Sequence, residues 1–332
     1  MFAQTQNRIG FACKPLDVNL PQITSTTIRW LSQQPRDKAV QRLRDLMQHN
    51  VLALEKHVRW LGTLPNHLRM YRISSELCTA YTHEDWMWFY FEPETQLWLT
   101  QNLGRVGELA RELDVRLSFH PGQFCVLASD NPEIVERSLL EFEYHVDMIR
   151  YMGFGKQFQD FKCNIHIGGK QGPEGIKRAV RSLSREARNV LCIENAEFSW
   201  GLEASLELVE VCALTLDVHH HWIATGEYLS PRDRRVRKLW ESWQGVRPVV
   251  HYSQSREDVV GECWDPQVPL DLDAAMKMGF TRARLRAHSE MYWNLAQNLW
   301  MQEFVEHADI MCEAKQKNLA AHTFANFILP QQ

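Results

Sequence analysis

The sequence predicts an α/β protein, a single (β/α)8 TIM barrel with a metal cluster at the C-terminal face of its strands. Short apolar runs alternate with longer amphipathic ones along the 332 residues, which is how parallel strands joined by crossover helices read. His or a carboxylate stands where six of eight strand-like runs end, and barrel chemistry is built at those ends. An open doubly wound sheet would gather such groups at one or two crevices. Donors from six strands converge only if the sheet closes.

The strand-like runs fall near residues 9–13, 69–74, 115–120, 162–167, 190–194, 214–217, 247–252 and 308–313. Between the first two, Val40, Leu43, Met47, Val51, Leu54, Val58 and Leu61 recur at three- and four-residue steps, marking one buried helix face over 37–61. Pro132 and Glu133 open another helix over 131–151, with Val135, Leu139, Phe142, Val146 and Ile149 on its inner face. Leu202, Leu206, Val209 and Ala213 predict a helix over 202–213. Two connections exceed a minimal barrel. One is the aromatic stretch 75–95, and the other is an insertion at about 253–287 containing Trp264, Pro266 and Pro269. Long connections in compact domains are usually functional or disordered. The expected organisation is one barrel domain, 1–318, followed by a C-terminal tail, 319–332.

Hydrophobic residues at 45% and charged residues at 23% are ordinary globular composition and exclude a largely disordered chain. A net charge of −4 gives no global attraction for nucleic acid, so such binding needs a local patch. Arg232, Arg234, Arg235, Arg237 and Lys238 read as a solvated helix face, whereas Arg282, Arg284 and Arg286 lead directly into a candidate ligand, His288. The 12 Trp read singly as core, although aromatics exposed at a barrel mouth can stack on bases. Eight Cys lack any C-x-x-C pair, and Cys163, Cys192 and Cys312 sit in apolar runs as small hydrophobes, which suits a reducing compartment. Met1 to Arg8 does not read as a signal peptide, and no apolar stretch is long enough for a bilayer. A soluble, cytoplasmic protein without membrane partners is expected.

His120-Pro121-Gly122-Gln123-Phe124 is the strongest local motif. Pro and Gly favour a tight turn that holds His120 at the rim and projects Gln123 and Phe124. His166-Ile167-Gly168-Gly169 repeats the pattern, its glycines allowing a ligand or phosphate close to the backbone. Glu194 ends an apolar strand, where a carboxylate is costly without a cation or hydrogen-bond partner. Asp217 ends the next run, and His220, three residues on, can return to the mouth; His219 reads as structural and His221 stays open. His251 and Glu313 end the last two runs, and His288 lies in the connection between them. Mixed His and carboxylate donors suit divalent metals with positions open to water or phosphate.

Together with Arg72-Ile73-Ser74-Ser75, Glu194-Asn195 and Glu313-Ala314-Lys315, these pieces resemble the UV damage endonuclease family, related to the apurinic endonuclease IV group, from about Ile9 to Lys315. The resemblance implies three divalent ions, usually Mn2+, with Mg2+, Co2+ or Zn2+ as substitutes. His120, His166 and Glu194 would hold one ion. Glu194 would bridge to a second, completed by Asp217, Glu313 and His288, while His220 and His251 would hold a third. Glu194, His251 and Glu313 are the implied catalytic residues. The implied reaction is hydrolysis 5′ to a UV photoproduct or abasic site, by a monomer associated with the nucleoid through damaged double-stranded DNA. Gln123 and Phe124 would wedge into the duplex, helped by Phe11, with Arg282, Arg284 and Arg286 along the DNA. Val249 replaces a family lysine two residues before His251, and Ala196 replaces an acidic residue after Asn195. Two rival readings are a sugar-isomerase-like metal barrel and a non-catalytic damage-binding homologue. The first has no role for Gln123-Phe124 or the arginine run.

Overall fold

A computed structural model describes residues 7–329; most of the segment read above for a leader, and residues 330–332, lie outside them. The strands are β1 (Ile9–Cys13), β2 (Met70–Ile73), β3 (Arg116–Phe119), β4 (Lys162–His166), β5 (Leu191–Glu194), β6 (Ala213–Asp217), β7 (Val249–Tyr252) and β8 (Asp309–Cys312). Each pairs in parallel with its neighbour in sequence, and β8 closes on β1. The barrel expected from the sequence is the observed fold.

Local chemistry explains the helices around it. Arg36–Gly62 buries Leu43, Met47, Val51, Leu54, Val58 and Leu61, the predicted stripe. Pro132–Tyr151 starts where Asn131 accepts from the Glu133 N–H; a side-chain cap followed by Pro at the first helical position is a strong start signal. Strand register then sets the site. His166 lies beside Glu194, and Asp217 beside His251, as Cα partners on adjacent strands. At the opposite end Asp309 accepts from the Arg8 N–H and from the Arg116 and Arg247 guanidiniums, tying β1, β3 and β7 to β8.

The long connections are packed. Val260, Leu270, Leu272, Ala275 and Leu285 of the insertion join Trp222 and Ile223 in a second, smaller core, and a bridge pairs Ser255 with His288. In the aromatic connection Tyr81, Trp86, Phe89 and Tyr90 are buried. Tyr81 lies 4.7 Å from the Tyr144 ring, and Ser75 Oγ donates to the His120 carbonyl. This stretch backs His120.

Three expectations are corrected. The helix expected over 202–213 is only Leu202–Ser205 with a 3-10 turn Leu206–Leu208, because β6 already begins at Ala213. The expected tail is a packed helix, Lys317–Ile328, which buries Ala320, Ala321, Phe324, Ala325 and Ile328 and lies against β1. It completes the helical layer, since an apolar face this continuous has to be covered. Phe11 is 1% exposed, with its ring centroid 5.2 Å from Tyr71 and 6.1 Å from Trp60 of the Arg36–Gly62 helix. It therefore packs between the barrel wall and that helix, and is not exposed at the mouth. Among the described residues no helix is long and apolar enough to cross a membrane.

Candidate metal centre

Glu194, at the end of β5, is the hub. Its Oε2 accepts from Asn164 Nδ2 at 2.6 Å and lies 3.3 Å from His120 Nε2 and 3.1 Å from His251 Nδ1. Its Oε1 is 3.5 Å from His220 Nδ1. Two groups of donors converge on this carboxylate, His120/His166/Glu194 and Glu194/Asp217/His251. Glu313 joins the second through a 3.2 Å approach of Oε1 to His251 Nδ1. The His220/His251 pairing that the resemblance implied is not the one observed. His251 sits with Glu194, Asp217 and Glu313, because register puts it beside Asp217 at the floor of the mouth.

Asp217 shows how local structure aims a donor. It caps the Val218–Thr225 helix, its Oδ1 accepting from the His220 N–H at 2.7 Å, so one helical turn carries His220 back over the mouth. Its Oδ2 has no hydrogen-bond partner and lies 3.7 Å from His220 Nδ1. Asn195 braces the same point, exchanging hydrogen bonds with the Asp217 backbone.

The imidazoles have assigned tautomers. A carbonyl can only accept, so His120, His220 and His288 each donate Nδ1–H to a backbone oxygen, of Pro121, Asn195 and Glu313 respectively. In the neutral ring each then keeps an Nε2 lone pair. His251 differs, since its Nε2 is 2.9 Å from the Lys162 ammonium, which has only donors to offer. Burial pushes Lys162 down to about 8. A neutral amine there would accept from Nε2–H and free His251 Nδ1 for a cation.

The centre is short of positive charge. Burial pushes the Asp217 carboxyl up to about 8, against the pull of His220. Burial would lower His220 as well, but Asp217, Glu194, Glu197 and Glu313 together raise it to about 9. Burial pushes His251 down to about 4. Glu313 would be raised by burial, yet Arg72, with which it forms an ion pair, and His251 hold it well below the carboxylate range. Among the described residues, Glu194 Oε1, Asp217 Oδ2 and His251 Nδ1 are buried without an aligned hydrogen-bond partner. Buried polar atoms are ordinarily satisfied. Three orphans converging from adjacent strands fit a divalent cation.

The remaining sequence candidates separate. Gln123 and Phe124 form the tip of a turn closed by the Cys125 N–H to the Gly122 carbonyl, and Phe124 is 84% exposed. Buried Cys125 and a bond from the Val126 N–H to Ser138 anchor the base of that loop. Gly169, at φ +93°, is required by close approach to the backbone of Ala128, so it packs the β3 and β4 loops together. His219 stacks on Trp222 and His221 lies 3.2 Å from Glu227; both are structural. Arg286 reaches the mouth through Glu197, whereas the Arg284 guanidinium lies over Phe280. Sequence reasoning gave no role to Arg72, Lys162 or Glu197. Lys162 and Arg72, each a lone charge within an otherwise uncharged strand, signalled themselves. Val249 is buried on β7, so the ammonium that reaches His251 comes from β4.

A closed (β/α)8 barrel with His and carboxylate donors gathered at its mouth defines a class of enzyme-like barrel. The UV-endonuclease UvdE family matches residues 7–328, nearly the whole chain, and the protein belongs to that family of DNA repair endonucleases. UV DNA damage endonuclease of Bacillus cereus strain G9842 is 25% identical over 315 residues, covering 90% of this chain and 86% of the relative. That of Nostoc sp. strain PCC 7120 is 29% identical over 267 residues, covering 76% and 78%. The crystal structure of SacUVDE superposes with a TM-score of 0.70 at 23% identity, covering 95% of this chain and 96% of that one. Endonuclease IV from Thermus thermophilus gives 0.54 at 14% identity, covering 83% and 94%. These two share the fold.

Proposed function

We propose that this chain nicks the phosphodiester backbone of damaged double-stranded DNA immediately 5′ to UV photoproducts, and at abasic sites, using three divalent ions, Mn2+ by preference. It acts as a cytoplasmic monomer. The observation that carries the reading is the convergence of orphaned Glu194, Asp217 and His251 atoms at the mouth. Divalent ions held there would supply Lewis-acid charge and hydroxide near neutral pH, by lowering the pKa of water from about 15.7 toward ~7.

The chain's own residues do the rest. Glu194 joins the two donor groups, with one oxygen fixed by Asn164. Arg72 holds Glu313 in the wall of the site. Backbone carbonyls hold three imidazoles in the tautomer that presents Nε2. The exposed Gln123-Phe124 tip supports lesion sensing, because a dimer or abasic site stacks poorly and is extruded at a lower cost, by about a few kcal/mol. Arg282, Arg284 and Arg286 supply the local positive charge that the net charge lacks.

Chelator-treated protein should leave irradiated supercoiled plasmid intact, and added Mn2+ should restore a single nick 5′ to each photoproduct. Metal-independent nicking would overturn the proposal. Lesion-selective binding without nicking at saturating Mn2+ would instead establish the non-catalytic homologue.

A further inference from the structure

The loop after β5 carries an aromatic ring to which the donor centre gives no role. Phe198 is 56% exposed. A single exposed Phe is ordinary on a protein surface, but this one is mounted. The Ala196 N–H donates to the Trp200 carbonyl at 2.9 Å, closing the loop 196–200 with Phe198 midway along it. Trp200 fixes the base of that loop, its Nε1–H donating to the Gly169 carbonyl at 2.7 Å. Gly169 itself packs on Ala128, so the loops after β3, β4 and β5 form one braced rim.

The ring is also held from one side. The Arg286 guanidinium, from the insertion, lies 5.4 Å from the Phe198 ring centroid and donates to Glu197 Oε1 at 3.0 Å. A planar guanidinium suits an aromatic face and a carboxylate together. Glu197 in turn pairs with His220, at 3.9 Å between Oε2 and Nε2, which ties the assembly to the donor centre. Phe198 is therefore ordered before anything binds, and its exposed surface can meet a ligand without a further ordering cost.

Position says which ligand. Phe124, at the tip of the β3 loop, is 84% exposed, and only β4 separates β3 from β5. At ~4.8 Å between neighbouring strands the two loops leave the barrel roughly 10 Å apart, about three base steps of a duplex. A wedge at Phe124 would unstack bases within that span, and an unstacked base presents a π face to the nearest ring.

We infer that Phe198, with Arg286 as its positioning residue, is a second stacking platform, which receives a nucleobase unstacked at the lesion. The inference rests on the proposed function and deepens it. Lesion selectivity comes from two aromatic tips, one that opens the duplex and one that captures a displaced base. An intact duplex has no such base to offer, so the platform favours damaged DNA alone. The insertion acquires a role by the same geometry, since its Arg286 reaches the β5 loop.

Steady-state nicking of a duplex carrying one pyrimidine dimer, at saturating Mn2+, tests this beside binding to the undamaged duplex of the same sequence. Phe198→Ala should raise KM for the dimer duplex roughly 5- to 150-fold, with KM carrying most of the loss, while its Kd for undamaged duplex stays at the parent's value. Phe198→Trp should restore KM. Phe198→Leu, apolar but without a ring, should stay with the Ala variant. Arg286→Lys keeps the charge but not the planar face, and it should lose part of the parent's affinity without changing how log KM depends on log salt. All four variants should retain the parent's Mn2+ count and metal-free melt. A parent-like KM in Phe198→Ala or Phe198→Leu overturns the platform and leaves the proposed function standing. A loss confined to kcat, or accompanied by a lowered melt, also overturns it and makes the loop a structural support for Glu197. A parent-like KM in Arg286→Lys overturns the positioning role of Arg286. A parent that does not nick the dimer duplex removes both readings.

Discussion

The pH dependence of stability in the metal-free protein follows from the charge shortage at the centre. Asp217 rises from 3.8 to about 8 on folding, chiefly because it is buried. Between those values the native state holds a proton that the unfolded chain has lost, so stability falls as pH rises. His220, raised from 6.5 to about 9, acts in the same direction above pH 6.5. Lowered groups oppose this outside the window: His166 and His251 below 6.5, and Lys162 above about 8. Between pH 6.5 and 8 the Asp217/His220 pair therefore dominates. Counting the pair as one shared proton, at 1.36 kcal/mol per pH unit, gives a loss of roughly 2 kcal/mol. For a chain of this size that is a fall in Tm of roughly 3 °C. Saturating Mn2+ should reverse the trend. An ion at 100 times its Kd adds about 2.7 kcal/mol, and it binds more tightly as its ligands lose protons. The assay is a thermal melt at pH 6.5, 7.2 and 8.0, with chelator or Mn2+, beside Asp217→Asn. The amide keeps the helix cap but cannot titrate, so the variant's metal-free melts should fall less steeply across the window than the parent's. A metal-free parent whose Tm is flat or rises from 6.5 to 8, or a variant that keeps the parent's slope, would refute the reasoning.

Glu194→Gln should abolish nicking, since it disturbs both donor groups that share the carboxylate. A loss of about 4 kcal/mol of charge stabilisation is roughly a thousandfold in rate, and activity within several-fold of the parent at limiting Mn2+ would remove Glu194 from the centre. Arg72→Met strips Glu313 of its buried partner and should destabilise the metal-free protein by ~3–5 kcal/mol. Denaturant titration should show Mn2+ rescuing the variant more than the parent; equal rescue would mean that Arg72 does not compensate the site's charge. Gln123→Ala/Phe124→Ala should retain its ions and its melt while nicking of a dimer-containing duplex falls by ~1–3 kcal/mol per base stacked. Abasic duplex should suffer less, and equal losses on both substrates would reduce the turn to a support for His120.

The sequence by itself determined the barrel and most of the donors at its mouth. Eight apolar runs separated by helical stripes leave few topologies open, and His120, His166, Glu194, Asp217, His251 and Glu313 all mark strand ends, where chain direction alone puts a side chain at the mouth. What the tertiary structure decided depends on contacts between strands distant in sequence. Phe11 could have faced either way, because a barrel strand is buried on both sides and its alternation does not say which side is inside. His251 pairs with Asp217 because of register across β6 and β7, which no local pattern encodes. Arg72 meets Glu313 across 241 residues and Lys162 meets His251 across 89, so neither partner could be read from its neighbourhood. The helix Lys317–Ile328 read as a tail because its burial depends on β1, at the other end of the chain. Glu197 escaped notice for the same reason: its meaning lies in His220 and Arg286, and only the closed barrel with its folded insertion brings those three together.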